Sequence, residues 1–439
     1  MGSADIKSLM NRIITTTGLV ALGAVTLQPA LAQDAKPWNL TATVRSFYDD
    51  NYATGPSKAP AGGGATKRSS WGLEFSPSAG YQLKRDQTTV DLSARYGMRY
   101  YEDRRQGSAD HSLDFGVSLD HRFTEKQKLT VSQSFAIAQE PGVLEPGSST
   151  TPLRSDGNNM RNNFQLKFVS DDIIERWSSD VSYANTYYDY QQDASRNITT
   201  DNPTGSGSKS ALLDRVEHLF TSVGRYRIFD ETSTELLLGY SFGLTDSTSK
   251  DVLISTPAPF AFALPASRDS RSHYFFTGAG HRFTTDLRAN GRIGVQYTEY
   301  PNAATAVPAF PQSSISPYVD VSGSWDYLPN SSAQLGVRMS RITTDISTSV
   351  DAKATTFYSS LNHEFTPDLK GSLLAQFQFS EYGGTDGTDK MLTTGLNLEW
   401  RFHPFISLEG GYNYDHQESD KDGRGYYRNR VYLGFKGTW

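Results

Sequence analysis

Cysteine is absent from the 439 residues, so disulfides, thiolate nucleophiles and cysteine-bound metals are excluded. No apolar run reaches the roughly 18 residues that a bilayer-crossing helix needs. A dominant charge is missing too: 42 Lys and Arg against 48 Asp and Glu leave a net −6. That balance gives nucleic acid nothing to hold, and no nucleic-acid partner is expected. What the chain does have is 24 Tyr, 23 Phe and 37 Gly, spread along its whole length.

The N-terminus reads as an export signal. Lys7 and Arg12 precede a short apolar stretch, Ile13 to Leu27, and Ala30-Leu31-Ala32 has the spacing of a cleavage site. Residues 1–32 are expected to be a cleaved signal peptide, and 33–439 a single mature domain. A retained amphipathic anchor is the alternative.

The final stretch, "YYRNRVYLGFKGTW" (426–439), alternates with period two. Tyr427, Val431, Leu433, Phe435 and Trp439 share one parity; Arg428, Arg430, Gly434, Lys436 and Thr438 share the other. This describes a strand with one apolar and one polar face. One phrase then recurs: "HRFTEKQKLTVSQSF" (121–135), "HRFTTDLRANGRIGVQY" (281–297) and "HEFTPDLKGSLLAQFQF" (363–379), with looser copies at 81–96 and 400–414. Each copy reads strand, tight polar turn, strand, which is a hairpin. Longer variable segments rich in Gly, Pro, Ser and Asp separate the copies. Nine long connections and eight short ones predict 18 strands, near 38–49, 70–84, 88–101, 112–123, 128–139, 161–170, 176–190, 212–229, 233–245, 272–283, 288–300, 315–327, 332–343, 353–365, 370–382, 391–402, 406–416 and 426–439.

Alternation alone would also fit a soluble sandwich. Strands of this length exceed the usual five or six residues of globular sheets, and they suffice to cross a bilayer at a tilt. Short turns alternating with long loops, and an even strand count, fit periplasmic turns, outer loops and periplasmic termini. Lipid leaves no backbone group unpaired, so the last strand must close on the first, with Trp439 at the periplasmic interface. The expected fold is all-β: a transmembrane antiparallel up-and-down β-barrel.

With its export signal, its repeated hairpins and its ending "VYLGFKGTW", the chain resembles bacterial outer-membrane β-barrel porins, above all the type often encoded in exopolysaccharide gene clusters. Phe435 and Trp439 are similar to the C-terminal signal read by the barrel assembly machinery. Gly437 departs from that signal, which usually carries an apolar residue two before the end. The resemblance implies an integral outer-membrane location, with outer-membrane lipid and the assembly machinery as partners and periplasmic polysaccharide-export components as further ones. It implies passive passage of polar solute or polymer, with exopolysaccharide export as the favoured function. A general diffusion porin for small solutes is the first alternative. A surface-binding barrel, adhesin or receptor, with a blocked pore is the second.

An enzyme is not expected. His121, His281 and His363 occupy the same place in the repeat, whereas catalysis needs one constellation rather than one copy per hairpin. They read as interfacial girdle residues. No Ser-His-Asp set or G-x-S-x-G elbow stands out. "GSGSKS" (205–210) lacks the leading Gly of a phosphate loop, and Asp420-Lys421-Asp422-Gly423 is a calcium-loop fragment without its bidentate Glu. Neither a metal nor a cofactor is expected.

The polar parity of the strands supplies the candidate pore lining: Glu74, Asp91, Arg95, Arg99, Asp114, Asp120, Arg122, Arg225, Arg227, Glu235, Arg282, Arg288, Arg292, Asp320, Arg338, Glu364, Glu399, Arg401, Arg428 and Arg430, together with Lys167, Asp180, Asp326, Lys370, Glu409 and Lys436. A charge facing lipid costs about 2–4 kcal/mol near the midplane, so these residues must point inward. Tyr101, Tyr188, Tyr190, Tyr300, Tyr318, Tyr358 and Tyr382 share that parity at the outer strand ends, where rings with hydroxyl handles suit sugar faces. A one-residue slip would place them in the outer girdle instead. Finally, "VLISTPAPFAFALPA" (252–266) is too apolar for an outer loop. Leu253, Ile254, Phe260, Phe262 and Leu264 are expected to fold inward as a constriction, with rim packing against "AVPAFP" (306–311) as the alternative. Pro257, Pro259 and Pro265 argue for an irregular segment without a helix or paired strand.

Overall fold

Period-two alternation becomes β-strand along nearly all of the described chain. The computed structural model describes residues 36–56, 67–104, 108–139, 158–190, 213–228, 234–248, 253–255, 261–263, 265–306, 309–344, 346, 349–383, 387–421 and 424–439. Its strands are β1 (Trp38–Asp49), β2 (Ser70–Arg85), β3 (Thr88–Tyr101), β4 (Ala109–Arg122), β5 (Gln127–Gln139), β6 (Asn158–Ile174), β7 (Trp177–Tyr190), β8 (Arg215–Arg227), β9 (Thr234–Ser247), β10 (Leu253–Ser255), β11 (Ala261–Ala263), β12 (Ser270–Arg282), β13 (Leu287–Glu299), β14 (Ser313–Leu328), β15 (Ser331–Ile342), β16 (Ala352–Thr366), β17 (Leu369–Tyr382), β18 (Thr388–His403), β19 (Ile406–Ser419) and β20 (Tyr426–Thr438).

All but β10 and β11 form one 18-stranded antiparallel sheet. Each strand pairs with its sequence neighbour, β9 pairs with β12, and β20 returns to β1. The sheet is therefore a closed up-and-down barrel, as expected. The predicted strands correspond one to one with the 18 strands of the barrel. The largest departure is β6, which runs on to Ile174 because the β6–β7 ladder slips between Ser170 and Ile174. Asp172, at φ 48°, takes up the extra length.

Exposure separates the two faces. Leu40, Val44, Trp71, Leu73, Phe75, Leu238, Phe275, Ile293, Leu335, Phe357, Leu433 and Phe435 are large, apolar and exposed, and lie on one parity. The opposite parity is polar and more buried. An apolar outer surface with a polar inner one is the solution for a barrel solvated by lipid.

The recurring phrase has a structural reading. His121, His281 and His363 stand on the outer face, each with an edge-on contact to the Phe two residues later: 4.7, 4.5 and 4.6 Å between ring centres, at 80°, 81° and 81°. The Nδ1 atoms are hydrogen-bonded to Thr88, Thr234 and Tyr327 hydroxyls of the neighbouring strand at 2.8, 2.7 and 2.9 Å. The next residue, Thr124, Thr284 or Thr366, accepts hydrogen bonds from two backbone N–H groups of the turn through its Oγ1. The repeat thus encodes an interfacial ring pair followed by a capped turn. A second set of His–Tyr pairs, Tyr96–His111, Tyr183–His218 and Tyr240–His273, lies near the opposite strand ends.

The apolar segment 252–266 is a correction. It was expected to be irregular and free of paired strand, yet β10 and β11 pair as Leu253↔Ala263, Ile254↔Phe262 and Ser255↔Ala261. Pro257 and Pro259 fall between the two strands and Pro265 after them, so none removes a ladder donor. Phe260 and Leu264 lie outside the described residues. Pro265–Arg268 then forms a 3-10 turn, and Ser267 and Arg268 are buried. From the next loop, Ala306 and Phe310 of "AVPAFP" pack with Tyr300, Ala303 and Val350.

Candidate functional site

The inner wall carries acids and bases matched across neighbouring or next-but-one strands. Asp120 meets Lys128 at 2.9 Å, Glu364 meets Lys370 at 3.2 Å and Glu399 meets Lys436 at 3.1 Å. Asp180 takes both Lys167, at 3.5 Å, and Arg225. Asp172 with Arg227, Asp326 with Arg288, and Asp320 with Arg338 are looser, at 3.9 Å each. Arg95 stands opposite Asp114 and donates to Ser76 Oγ, and Asp91 accepts from Gln82. Glu235 faces Arg227, and Arg292 faces Asp320. Arg122, Arg282 and Arg401 lie at the short-turn ends of their strands, Arg401 beside Asp368 at 3.2 Å. The structure brings the pore-lining set to one face and pairs most of it. This pairing ties neighbouring strands of the wall together.

Burial is deepest at the seam where the chain closes on itself. Glu74 receives Arg45, Arg99 and Arg430, while Arg45 also reaches Glu409 at 3.0 Å. Above them Arg428 holds Asp49. Beyond Asp49, the Asn51 amide donates to the Gly55 and Tyr427 carbonyls, both at 2.8 Å. The first and last strands are therefore joined by side chains as well as by their ladder.

Sequence reasoning missed the inner-wall aromatics Phe47, Tyr274, Phe276 and Tyr432. Phe47 lies where a side chain on Gly72 would sit, Phe276 over Gly239, Tyr358 over Gly336 and Tyr432 over Gly411. Glycine within a strand clears the space that the neighbouring ring fills. Across one level of the wall this gives Gly411–Tyr432–Phe47–Gly72–Tyr101 over β19, β20, β1, β2 and β3. A second row, Val223–Gly239–Phe276–Gly294–Tyr318, crosses β8, β9, β12, β13 and β14. Their central strands, β1 and β12, are nine places apart in the closed ring of 18, so the rows occupy opposite walls. The usable signal was glycine in register with an inward aromatic. Arginines lie over these rings: Arg430 over Phe47 at 4.4 Å, Arg45 over Tyr432 at 4.7 Å and Arg292 over Phe276 at 5.6 Å.

The structure places Tyr101, Tyr188, Tyr300, Tyr318, Tyr358 and Tyr382 on the inner parity; the Tyr190 side chain lies outside the described residues. Tyr101, Tyr300 and Tyr318 are packed over, each at most 3% exposed. Tyr188 lies under Arg215 at 3.9 Å. Tyr358 and Tyr382 keep more of their surface, and Tyr382 donates to Asp389 at 2.7 Å. Phe435 and Trp439 are on the outer face, both more than half exposed. Trp439 exchanges backbone hydrogen bonds with Leu40 at 2.9 and 3.1 Å, and its indole occupies the space above Gly437. Gly437, the departure from the usual signal, is the residue that lets the ring fold back.

In the long loops, Asp420 accepts hydrogen bonds from the Thr388 hydroxyl at 2.9 Å and N–H at 2.7 Å. These hold its carboxyl below the usual carboxylate range. Its oxygens are engaged in fastening a loop base. Among the described residues no group of three or more His, Asp or Glu is arranged to hold a metal ion.

Residues 261–438 match the family model described as Putative beta-barrel porin 2, which bears out the resemblance read from the sequence. No curated protein matches the chain. Among solved structures, the chain is similar to the outer membrane protein OpdK from Pseudomonas aeruginosa at 13% identity, covering 92% of this chain and 99% of that one, with TM-score 0.42. It is similar to a BenF-like porin from Pseudomonas fluorescens Pf-5 at 13% identity, 92% and 99% coverage and TM-score 0.43. The ferric enterobactin receptor PfeA from Pseudomonas aeruginosa, as a mutant, matches at 8% identity, 92% and 81% coverage and TM-score 0.42.

Proposed function

Taking the chain as an outer-membrane β-barrel of the porin type, we propose that it is a passive channel for polar solute or polymer, with exopolysaccharide as its cargo. The carrying observation is the inner wall: charged groups of both signs on one face of a closed barrel whose other face is apolar. A barrel this wide does not fill itself with side chains, so such a lumen is hydrated. Pairing most of the acids with a nearby base weakens the field along the wall, which suits a neutral or weakly charged polymer. The half-buried ring of Tyr382 offers a stacking face near the outer strand end, with that of Tyr358 deeper along the wall. In this reading the short turns and both termini are periplasmic, and Trp439 belongs to the periplasmic girdle.

Reconstitution in planar bilayers tests the reading. Discrete conductance steps are expected, and polymer from the producing cell, added on the short-turn side, should interrupt the current. Absence of steps sinks the channel. Steps that polymer leaves untouched would assign a general diffusion porin. The blocked-barrel alternative has one observation in its favour: Asn51, Leu213, Ser267 and Ala303, at the loop end, are wholly buried. The same recording decides it, because a blocked barrel gives no steps.

A further inference from the structure

β14 and β15 part company before either of them ends. β14 is paired with β13 as far as Ser313, and β15 with β16 as far as Ile342. Their shared ladder, however, runs only from Leu328↔Ser331 to Val319↔Met339. Ser316, Pro317 and Tyr318 therefore face Ser340, Arg341 and Ile342 with no ladder between them. Pro317 has no N–H to give, so a rung there is weakened from the start. The Arg341 N–H donates instead to the Gln296 side-chain Oε1 at 3.1 Å, while Gln296 Nε2 donates to the Tyr274 hydroxyl and to Thr298, at 3.1 and 3.2 Å. A side chain from β13 stands in for missing backbone bonds.

The position of this split gives it meaning. Ile315 and Val295, on the outer face beside it, are exposed apolar residues at 72% and 46%, so the split reaches into the apolar belt. On the inside, the row Val223–Gly239–Phe276–Gly294–Tyr318 ends on its edge, with Leu219 and Leu237 packed against the same cluster. That is an apolar path across an otherwise charged wall, leading to the place where the wall is least bonded. Open sheet edges are not stable against lipid unless covered. The chain leaving β15 is fastened beside the split: buried Arg268 donates to the carbonyls of Thr344, Ile346 and Ser349, and Asp351 takes Arg341 and Tyr300.

We propose that the barrel wall opens between β14 and β15, and that a single-chain amphiphile passes sideways there between the lumen and the outer leaflet. The Phe276–Tyr318 row carries the chain, the charged wall keeps the polar head hydrated, and Gln296 is the strut that must swing aside. This goes beyond polymer passage along the barrel axis and uses a different part of the wall.

The test uses a membrane-resident probe, hexadecanol with a photoreactive diazirine in its chain, incorporated into liposomes with the full-length mature protein. The chain has no native cysteine, so the Ser316→Cys/Ile342→Cys pair can be locked by oxidation and released by reductant. Light should label the Tyr318 and Phe276 peptides in the reduced protein and at least fivefold less in the oxidised one, with Ile315 labelled equally in both. Gln296→Ala, without cysteines, should raise labelling of Tyr318 several-fold. Inner-wall labelling that ignores the lock, or that is absent from both the reduced pair and Gln296→Ala, overturns the proposal. Ionic conductance of the locked barrel reads the axial channel separately.

Discussion

Arg428 and Asp49 form a buried ion pair across the seam: the guanidinium donates twice to one Asp49 oxygen, at 2.9 and 2.7 Å, and neither side chain is more than 2% exposed. Removing one partner leaves a buried charge uncompensated, at a cost of about 3–5 kcal/mol. Asp49→Ala should lower the temperature at which the heat-modifiable folded band converts to the unfolded one on gels. Asp49→Leu combined with Arg428→Met should recover only part of the loss, because buried Asp415, opposite Arg428 on β19, then loses its counter-charge. An unchanged single variant would show that the seam rests on its ladder alone.

The ring and the backbone of Trp439 can be tested apart. Deleting Trp439 removes two backbone hydrogen bonds to Leu40, each worth roughly 0.5–1.5 kcal/mol, together with an interfacial aromatic. Less folded barrel should reach the outer membrane. Gly437→Leu keeps both hydrogen bonds but displaces the indole, and should show part of the same defect.

Orientation follows from labelling. Cysteines replacing Gly64, Ser149 or Ser206 in the long loops should react with an impermeant maleimide on intact cells. Those replacing Asp86, Glu125 or Asp286 in the short turns should react only after lysis. The reverse pattern would invert the barrel.

Asp180 balances two cations, Lys167 and Arg225. Asp180→Asn should remove a negative charge from the lumen wall, leaving Arg225 only its longer contact to Asp171 at 3.6 Å, and shift the reversal potential in a salt gradient toward anion preference. The shift should shrink at molar salt, where screening acts within about 3 Å. No shift at low salt would place these groups away from the ion path.

The β10–β11 hairpin is the remaining candidate constriction. Deleting residues 252–263 spares Arg268 and its hold on the neighbouring loop. Single-channel conductance should rise several-fold if the hairpin narrows the pore. An unchanged value would assign it to the rim.

The barrel was legible because its outer surface has one rule, apolar residues at period two, written in every strand. Turn chemistry punctuated it, and the H-x-F-T phrase marked the short-turn side three times over. The pairing of individual charges was not legible: whether Glu74 meets Arg99, Arg430 or both depends on register across the closure between β1 and β20, which periodicity does not fix. The aromatic rows were missed for a related reason. Phe47 and Tyr432 fall on the polar parity, and only their register against Gly72 and Gly411 shows why the wall admits them. The β10–β11 pairing is not legible because three prolines in 15 residues disfavour a ladder unless, as here, they fall between and after the paired residues.

The seam has a kinetic consequence. Thr41 pairs with Thr438, so closing the ring brings together residues about 400 positions apart, at an entropic cost of roughly 5 kcal/mol. Every other contact between adjacent strands is local by comparison, and sequential hairpins can form long before β1 meets β20. Asp49 and Arg428 therefore meet only at the final step. Contacts made after the rate-limiting barrier act on escape from the native state rather than on arrival. The ion pair should set how slowly a finished barrel comes apart, and leave the speed of its insertion unchanged.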